Sequence, residues 1–181
     1  MAGVALNAIA FQAGWFACVL GAAYGAAWIG LVVAAIVVAF HLSRATDAMP
    51  EVQLIAIIMV LGALWDSALV RAGWIAYPTS SFITGAAPHW IVALWILFAT
   101  TLNVSMRWLK PRLWLALALG ALCGPLSYWG ASRLGAVQFV DPVSVVIALA
   151  VGWALIMPGL MLLARRFDGY APLLPGRKAM A

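Results

Sequence analysis

AGVALNAIAFQAGWFACVLGAAYGAAWIGLVVAAIVVAFHLS, residues Ala2–Ser43, carries no Asp, Glu, Lys or Arg. As one helix, rising 1.5 Å per residue, it would reach about 63 Å, twice the roughly 30 Å hydrocarbon core of a bilayer. The run must fold back once, and the small, turn-tolerant stretch Gly21-Ala22-Ala23-Tyr24-Gly25 is the place for it. Two apolar helices result, over 4–22 and 26–42. The rest of the chain repeats the pattern. A polar loop with Arg44, Asp47, Pro50 and Glu51 leads to a third helix over 52–70, which contains Asp66 and is closed by Arg71. Residues 73–88, punctuated by Pro78, Thr79, Ser80, Ser81 and Gly85, read as an outer loop. A fourth helix over 89–106 is closed by Arg107, Lys110 and Arg112. A fifth over 113–132 and a sixth over 142–164 follow, ending at Arg165-Arg166. The sequence thus predicts an all-α polytopic membrane protein: one six-transmembrane-helix bundle over residues 1–166, and a short C-terminal tail over 167–181.

Composition agrees. Of 181 residues 67% are hydrophobic and 8% charged, with a mean hydropathy of +1.09, where an ordinary soluble domain has about 25% charged residues. A soluble fold of this size could not hide so much apolar surface. That excludes a soluble enzyme, a disordered tail and a nucleic-acid-binding domain. The net charge of +5 is read instead as topology. With six spans, Arg44, Arg107, Lys110, Arg112, Arg165, Arg166, Arg177 and Lys178 fall on the face that holds both termini, against Arg71 and Arg133 on the other. Basic residues stay inside, so both termini are expected in the cytoplasm. Trp28, Trp74, Trp90 and Trp129, with Tyr24, Tyr77 and Tyr128, fall near outer boundaries, and Trp108 and Trp114 near an inner one, as interfacial aromatics do. A cleavable signal peptide would need an early basic residue, and the first is Arg44. No internal repeat is evident.

Polar residues inside the spans are the candidate functional groups. Asp66 lies in the outer half of the third helix, with only Gly62, Ala63, Leu69 and Val70 at the positions that share its face. Its relief must come from another helix. His89, Tyr128 and Arg133 are the outer-half candidates, with Arg133 expected to pair with it; together the four would form a polar pocket facing outward. That pocket reads either as a structural lock between helices or as a working site. A second, interhelix cluster is expected from Thr100, Asn103 and Arg107 on one face of the fourth helix, meeting Asn7 and Gln12 of the first. Small-residue stripes, Gly14, Cys18 and Ala22 on the first helix and Gly120 and Gly124 on the fifth, predict close backbone contacts. Pro125 and Pro158 are placed to kink their helices. Cys18 and Cys123 have no metal or disulfide spacing. His41 and His89 fall on opposite faces and cannot share a metal. Neither a metal nor a cofactor is expected, and no hydrolase, zinc-protease or nucleotide-binding motif is present.

FQAGWFACVLG (Phe11–Gly21), LWILFATTLNVSMRWL (Leu94–Leu109) and GPLSYWGASRLGAV (Gly124–Val137) resemble a family of small bacterial inner-membrane proteins catalogued as domain of unknown function 2878. The likeness extends over essentially the whole chain. Genes of that family lie beside those for cyclopropane-type fatty-acid methylation and associated oxidoreductases, so the resemblance implies a lipid-related role, with lipid-modifying enzymes as partners. Val104 stands where relatives often have His, which removes a catalytic histidine from that position. Three functions remain open. One is a structural or accessory component of a lipid-modification system. Another is a small lipid or solute binding or transport protein with its pocket around Asp66. The third is a membrane enzyme using Asp66 as acid or base. A transporter needs an opening that reaches Asp66, a scaffold needs none, and an enzyme needs a second titratable group within hydrogen-bond reach.

Overall fold

Glycine at 25 makes the first reversal. The α1 helix (Ala2–Ala23) ends in a turn in which Gly25 takes φ 74°, a conformation side chains resist, and α2 (Trp28–Arg44) begins three residues later. The computed structural model of the chain describes residues 2–78 and 84–170. The described residues form four further helices, α3 (Ala48–Arg71), α4 (His89–Leu102), α5 (Leu113–Arg133) and α6 (Pro142–Arg166), so the all-α class holds. Thr79, Ser80 and Ser81 of the outer loop, and Arg177 and Lys178 of the tail, lie outside the described residues.

Two departures from the sequence reading decide what sits where. First, α3 starts four residues early. Asp47 caps it by accepting from the Met49 N–H at 3.0 Å, and Pro50 falls in the first turn, where it needs no N–H partner. Glu51 is therefore a buried helical residue and not part of a loop. Second, the fourth helix stops at Leu102 instead of 106. The chain turns at Asn103 and continues as a short 3₁₀ turn, Arg107–Leu109. Thr100, Asn103 and Arg107 thus do not share a helical face. The outer connections add a small antiparallel pair, β1 (Ile75–Ala76) with β2 (Gln138–Phe139), which ties the loop after α3 to the loop after α5.

The helices alternate in direction, and α4 is the hub, packed against α1, α2 and α3 while α5 and α6 pair with each other. Most of α4 is buried, including Trp90, Trp95, Leu97 and Leu102. The bundle's outer surface is the reverse of a soluble protein's: Ile9, Ile36, Leu64, Leu126, Val143 and Leu155 all stand exposed. Four helices (α1, α3, α5, α6) are long and apolar enough to cross a membrane, whereas α2 and α4 are shorter apolar helices. Lipid around such a surface removes the aggregation that water would force.

Small residues set the closest approaches. A Cβ on Gly14 would lie 2.7 Å from the Leu97 side chain of α4, and one on Gly30 2.7 Å from the Cys18 backbone. The α1 stripe therefore packs on α4 and α2. The α5 stripe serves α6: a side chain at Gly120 would overlap the Trp153 carbonyl, and one at Gly124 the Trp153 ring. Both α5 and α6 run on through Pro125 and Pro158.

Candidate functional site

Asp66 is completely buried, and three neutral donors from three elements converge on it. The Tyr77 hydroxyl donates to Oδ1 at 2.5 Å, the Tyr128 hydroxyl to the same oxygen at 2.8 Å, and the Trp95 indole N–H to Oδ2 at 2.7 Å. Each donor is delivered by a local device. Tyr77 follows β1, held in place by the pairing with β2. Trp95 projects from α4 onto α3 at Gly62, one helical turn before Asp66, where any side chain would overlap its ring. Tyr128 reaches in from α5. Hydrogen bonds to a charged acceptor are worth about 1.5–3 kcal/mol each, so this arrangement replaces the water that a carboxylate loses inside a membrane.

The donors also form a wall. Trp95 stacks on Trp153 of α6, ring centroids 4.9 Å apart and 7° from parallel, and Phe98 meets both rings edge-on. In front of this wall lies a small half-open cleft of about 70 Å³, lined almost entirely by apolar and aromatic side chains, among them Phe11, Trp15, Trp95, Phe98, Tyr128 and Trp153. One end carries a polar contact, Trp15 N–H to Ser127 Oγ at 3.2 Å. Asp66 does not line the cleft; it fixes the two residues, Trp95 and Tyr128, that do. A second apolar groove, between α3 and α6, has Trp95 and Trp65 on its wall.

Of the three residues expected around Asp66, the structure brings Tyr128 to it and not Arg133. Arg133 ends α5 and is exposed, and among the described residues no ion pair involves Asp66. The reason is economy of desolvation. Neutral donors satisfy the carboxylate without burying a second ion, while a terminal arginine can extend to water. His89 opens α4 and is partly buried. Tyr77 and Trp95 were readable only as interfacial or core aromatics, since nothing local marks either as a donor to Asp66.

Asp66→Ala will strand three buried donors and lower stability by about 1–3 kcal/mol for each that stays unpaired. Asp66→Asn will cost less, because its amide oxygen can still accept from Trp95 and its NH₂ can donate to a rotated tyrosine hydroxyl. Chemical unfolding in detergent micelles measures both. An Asp66→Asn loss that Arg133→Gln then restores would reinstate the ion pair.

The expected inner cluster divides in two. Asn7 donates to the Thr100 carbonyl at 3.1 Å and accepts from the Ser105 N–H at 3.2 Å, fastening α1 to the end of α4. Gln12 is exposed, being five residues on and so about 140° round the helix from Asn7. Asn103 instead turns to Glu51, donating to Oε1 at 2.6 Å and to the Phe167 carbonyl at 2.8 Å. Glu51 Oε1 also accepts from the Gly169 N–H at 2.7 Å, and Oε2 lies 2.8 Å from His41 Nε2. Tyr170 closes the group by donating to the His41 carbonyl at 2.6 Å; burial, then the Glu51 charge, pushes its phenol up to about 12, so it remains a donor. Beside it Asp168 pairs with Arg107 at 2.6 Å and Lys110 at 2.8 Å. Burial lowers the Lys110 pKa, and Asp168 opposes that. Residues 167–170, expected as the start of a short C-terminal tail, are therefore a strap across the ends of α2, α3 and α4.

His41, Glu51 and Asp168 escaped the sequence reading. A signal for the first two existed: His41 and Glu51 stand equidistant from Thr46, at the centre of a hairpin connection, as residues facing each other across a helical hairpin must. Neither cleft reaches this cluster, and Glu51 is fully hydrogen-bonded. Its chemistry is that of a clasp. Among the described residues no three His, Cys, Asp or Glu side chains are placed to hold a metal ion.

Fold and site together define a helical, membrane-type bundle with a buried carboxylate behind an aromatic cleft. Residues 4–159 match the family described as protein of unknown function (DUF2878), and the chain belongs to that family. No curated protein and no solved structure matches it.

Proposed function

We propose that this protein is a membrane-embedded lipid-binding component that holds a long apolar chain in the aromatic cleft and serves a membrane-lipid modification system. The observation that carries the proposal is the half-open cleft whose wall, Trp95 and Tyr128, is fixed by Asp66. The opening stops at Trp95 and Tyr128 and does not reach Asp66, so it supports the holding of a chain at the bundle surface rather than transport through a pocket around Asp66. Pockets that bind small molecules are concave and mostly apolar with a few placed polar groups, as this one is. Lipid-modifying enzymes are the partners such a component would supply.

The setting is a bacterial inner membrane crossed six times, with both termini and the strap on the cytoplasmic side. Several features support it. The shorter apolar helices α2 and α4 each fall in the chain between two helices long enough to cross. Basic residues gather at the end that holds the strap, and Trp28 and Tyr24 stand exposed at the other. Residues 1–166 would then form one domain, with the segment beyond the strap as its tail.

A diazirine-bearing fatty acid, photolysed with the purified protein, will label peptides from α1, α4 and α5 that face the cleft. Ala131→Phe, which fills the cleft from α5, will abolish that labelling and will reproduce the membrane-lipid profile of a deletion strain. Labelling spread evenly over the exposed outer helix faces, unaffected by Ala131→Phe, would overturn the assignment.

A further inference from the structure

Between α3 and α6 the bundle is open along its side. The two helices touch where the Trp65 ring sits on Gly152, so closely that a Cβ there would overlap the ring. Beside that contact lies a half-open groove of about 570 Å³, within the roughly 300–1,000 Å³ usual for ligand sites. Leu61 and Leu64 of α3 line one side, and Ile156, Gly159 and Leu163 of α6 the other. Along α6 the groove thus runs away from Gly152 and toward the strap. Every side chain that lines it is aliphatic or a tryptophan, and the Trp95 N–H is spent on Asp66. Gly159 deepens the groove: the residue is exposed, and a Cβ there would meet nothing within 4 Å.

Charge marks the end of the groove nearest the strap. Ile156, Gly159 and Leu163 follow helical spacing, and the next position on their stripe is Arg166, the last residue of α6. The other ions there are committed. Arg107 and Lys110 pair with Asp168, Arg165 donates to the Lys110 carbonyl, Glu51 is taken by Asn103, and Asp47 by the Met49 N–H. Arg166 is exposed and lies over the Phe167 ring, 5.9 Å from its centroid; among the described residues it has no ion pair. An apolar trough that ends at an unpaired arginine fits an amphiphile with a negative head group, since a guanidinium matches phosphate geometry. A second copy seated here about an axis along the membrane normal would instead set Arg166 against Arg166. We propose that the α3–α6 groove binds an anionic phospholipid, with an acyl chain along Gly159 and the phosphate on Arg166. In a zwitterionic lipid the ammonium beside the phosphate offsets this attraction. The site is separate from the aromatic cleft and does not depend on what that cleft holds.

The test is native mass spectrometry of the purified full-length protein, delipidated in non-ionic detergent and titrated with dioleoylphosphatidylglycerol or dioleoylphosphatidylcholine. The anionic lipid is expected to bind about fivefold more tightly, the scale of one arginine at an anionic surface. Arg166→Gln will remove that preference by weakening the anionic lipid alone. Arg112→Gln, which alters a cation held to the Trp108 carbonyl, will leave the preference intact. Gly159→Phe will weaken both lipids, because it fills the groove from a position with open space around it. Glycerol 1-phosphate, a head group without chains, will not compete; competition by it would assign Arg166 to free phosphate and overturn the lipid. Equal binding of the two lipids by the wild type overturns the proposal. So does a preference that survives Arg166→Gln, or lipid binding that Gly159→Phe leaves unchanged. Dimers in place of bound lipid, lost in Gly159→Phe, would give the groove to a second copy and overturn it as well.

Discussion

Glu51→Ala will lower the stability of the folded protein by about 3–5 kcal/mol, the cost of removing one partner from a buried charged network. Glu51 is 0% exposed and is the acceptor that joins four segments: Asn103 after α4, the Gly169 N–H beyond α6, His41 of α2, and its own α3. Alanine leaves one Asn103 amide hydrogen and the Gly169 N–H without their acceptor, the other Asn103 hydrogen keeping the Phe167 carbonyl. The strap should detach before the bundle opens. Hydrogen exchange at the Gly169 and Tyr170 amides will quicken at denaturant concentrations where the α4 amides remain protected. Glu51→Gln keeps an oxygen for the same donors and will recover part of the loss. If Glu51→Ala unfolds in step with wild type, the clasp holds nothing together.

Gly120→Leu will have a comparably large effect for a different reason. The α5 and α6 helices meet with the Gly120 Cα against the Trp153 carbonyl, and a backbone oxygen cannot turn aside as a side chain can. The two helices must separate, and overpacking in a close contact costs about 1–3 kcal/mol or more. Separation also moves Trp153 off Trp95, so the cleft loses its wall. Folded yield in detergent and binding of the photoreactive fatty acid should fall together. Gly159→Leu on α6 is the control, since nothing lies within 4 Å of its Cβ position. Equal yields for the two variants would mean that the stripe does not carry the contact.

Much of the architecture was legible because it depends on local quantities. Helix count followed from apolar runs separated by charged and Pro- or Gly-marked breaks, and the first hairpin from a run too long to cross once, with its turn at Gly21–Gly25. Tyr128 could be named beside Asp66 because both lay at one depth. Depth, however, is a single coordinate. It placed Arg133 and Tyr128 equally near Asp66 and could not say which faces inward. The early start of α3 was marked by Asp47 and by Pro50 in the first turn, yet those residues read equally well as a loop, and Glu51 went with them. Asn103 was assigned to Asn7 and Gln12 on the assumption that α4 continues to 106. Once the helix ends at Leu102, the amide turns to Glu51.

Composition and short windows were enough to read an apolar, membrane-type chain built on helices, the approximate place of each reversal, and the need of Asp66 for a partner from elsewhere. Each of these is a property of composition or of a short window, because hydrophobic length and the cost of a charge in hydrocarbon do not depend on what lies across the bundle. The identity of those partners came from packing between helices. The rotation of each helix about its axis is set by where glycines admit large rings: Gly62 admits Trp95, Gly124 admits Trp153, and Gly152 admits Trp65. The first fit puts Trp95 on Asp66, and the second sets Trp153 against Trp95 on the wall of the cleft. A Gly and a Trp that lie 29 or more residues apart carry no mark of belonging together until packing between helices joins them.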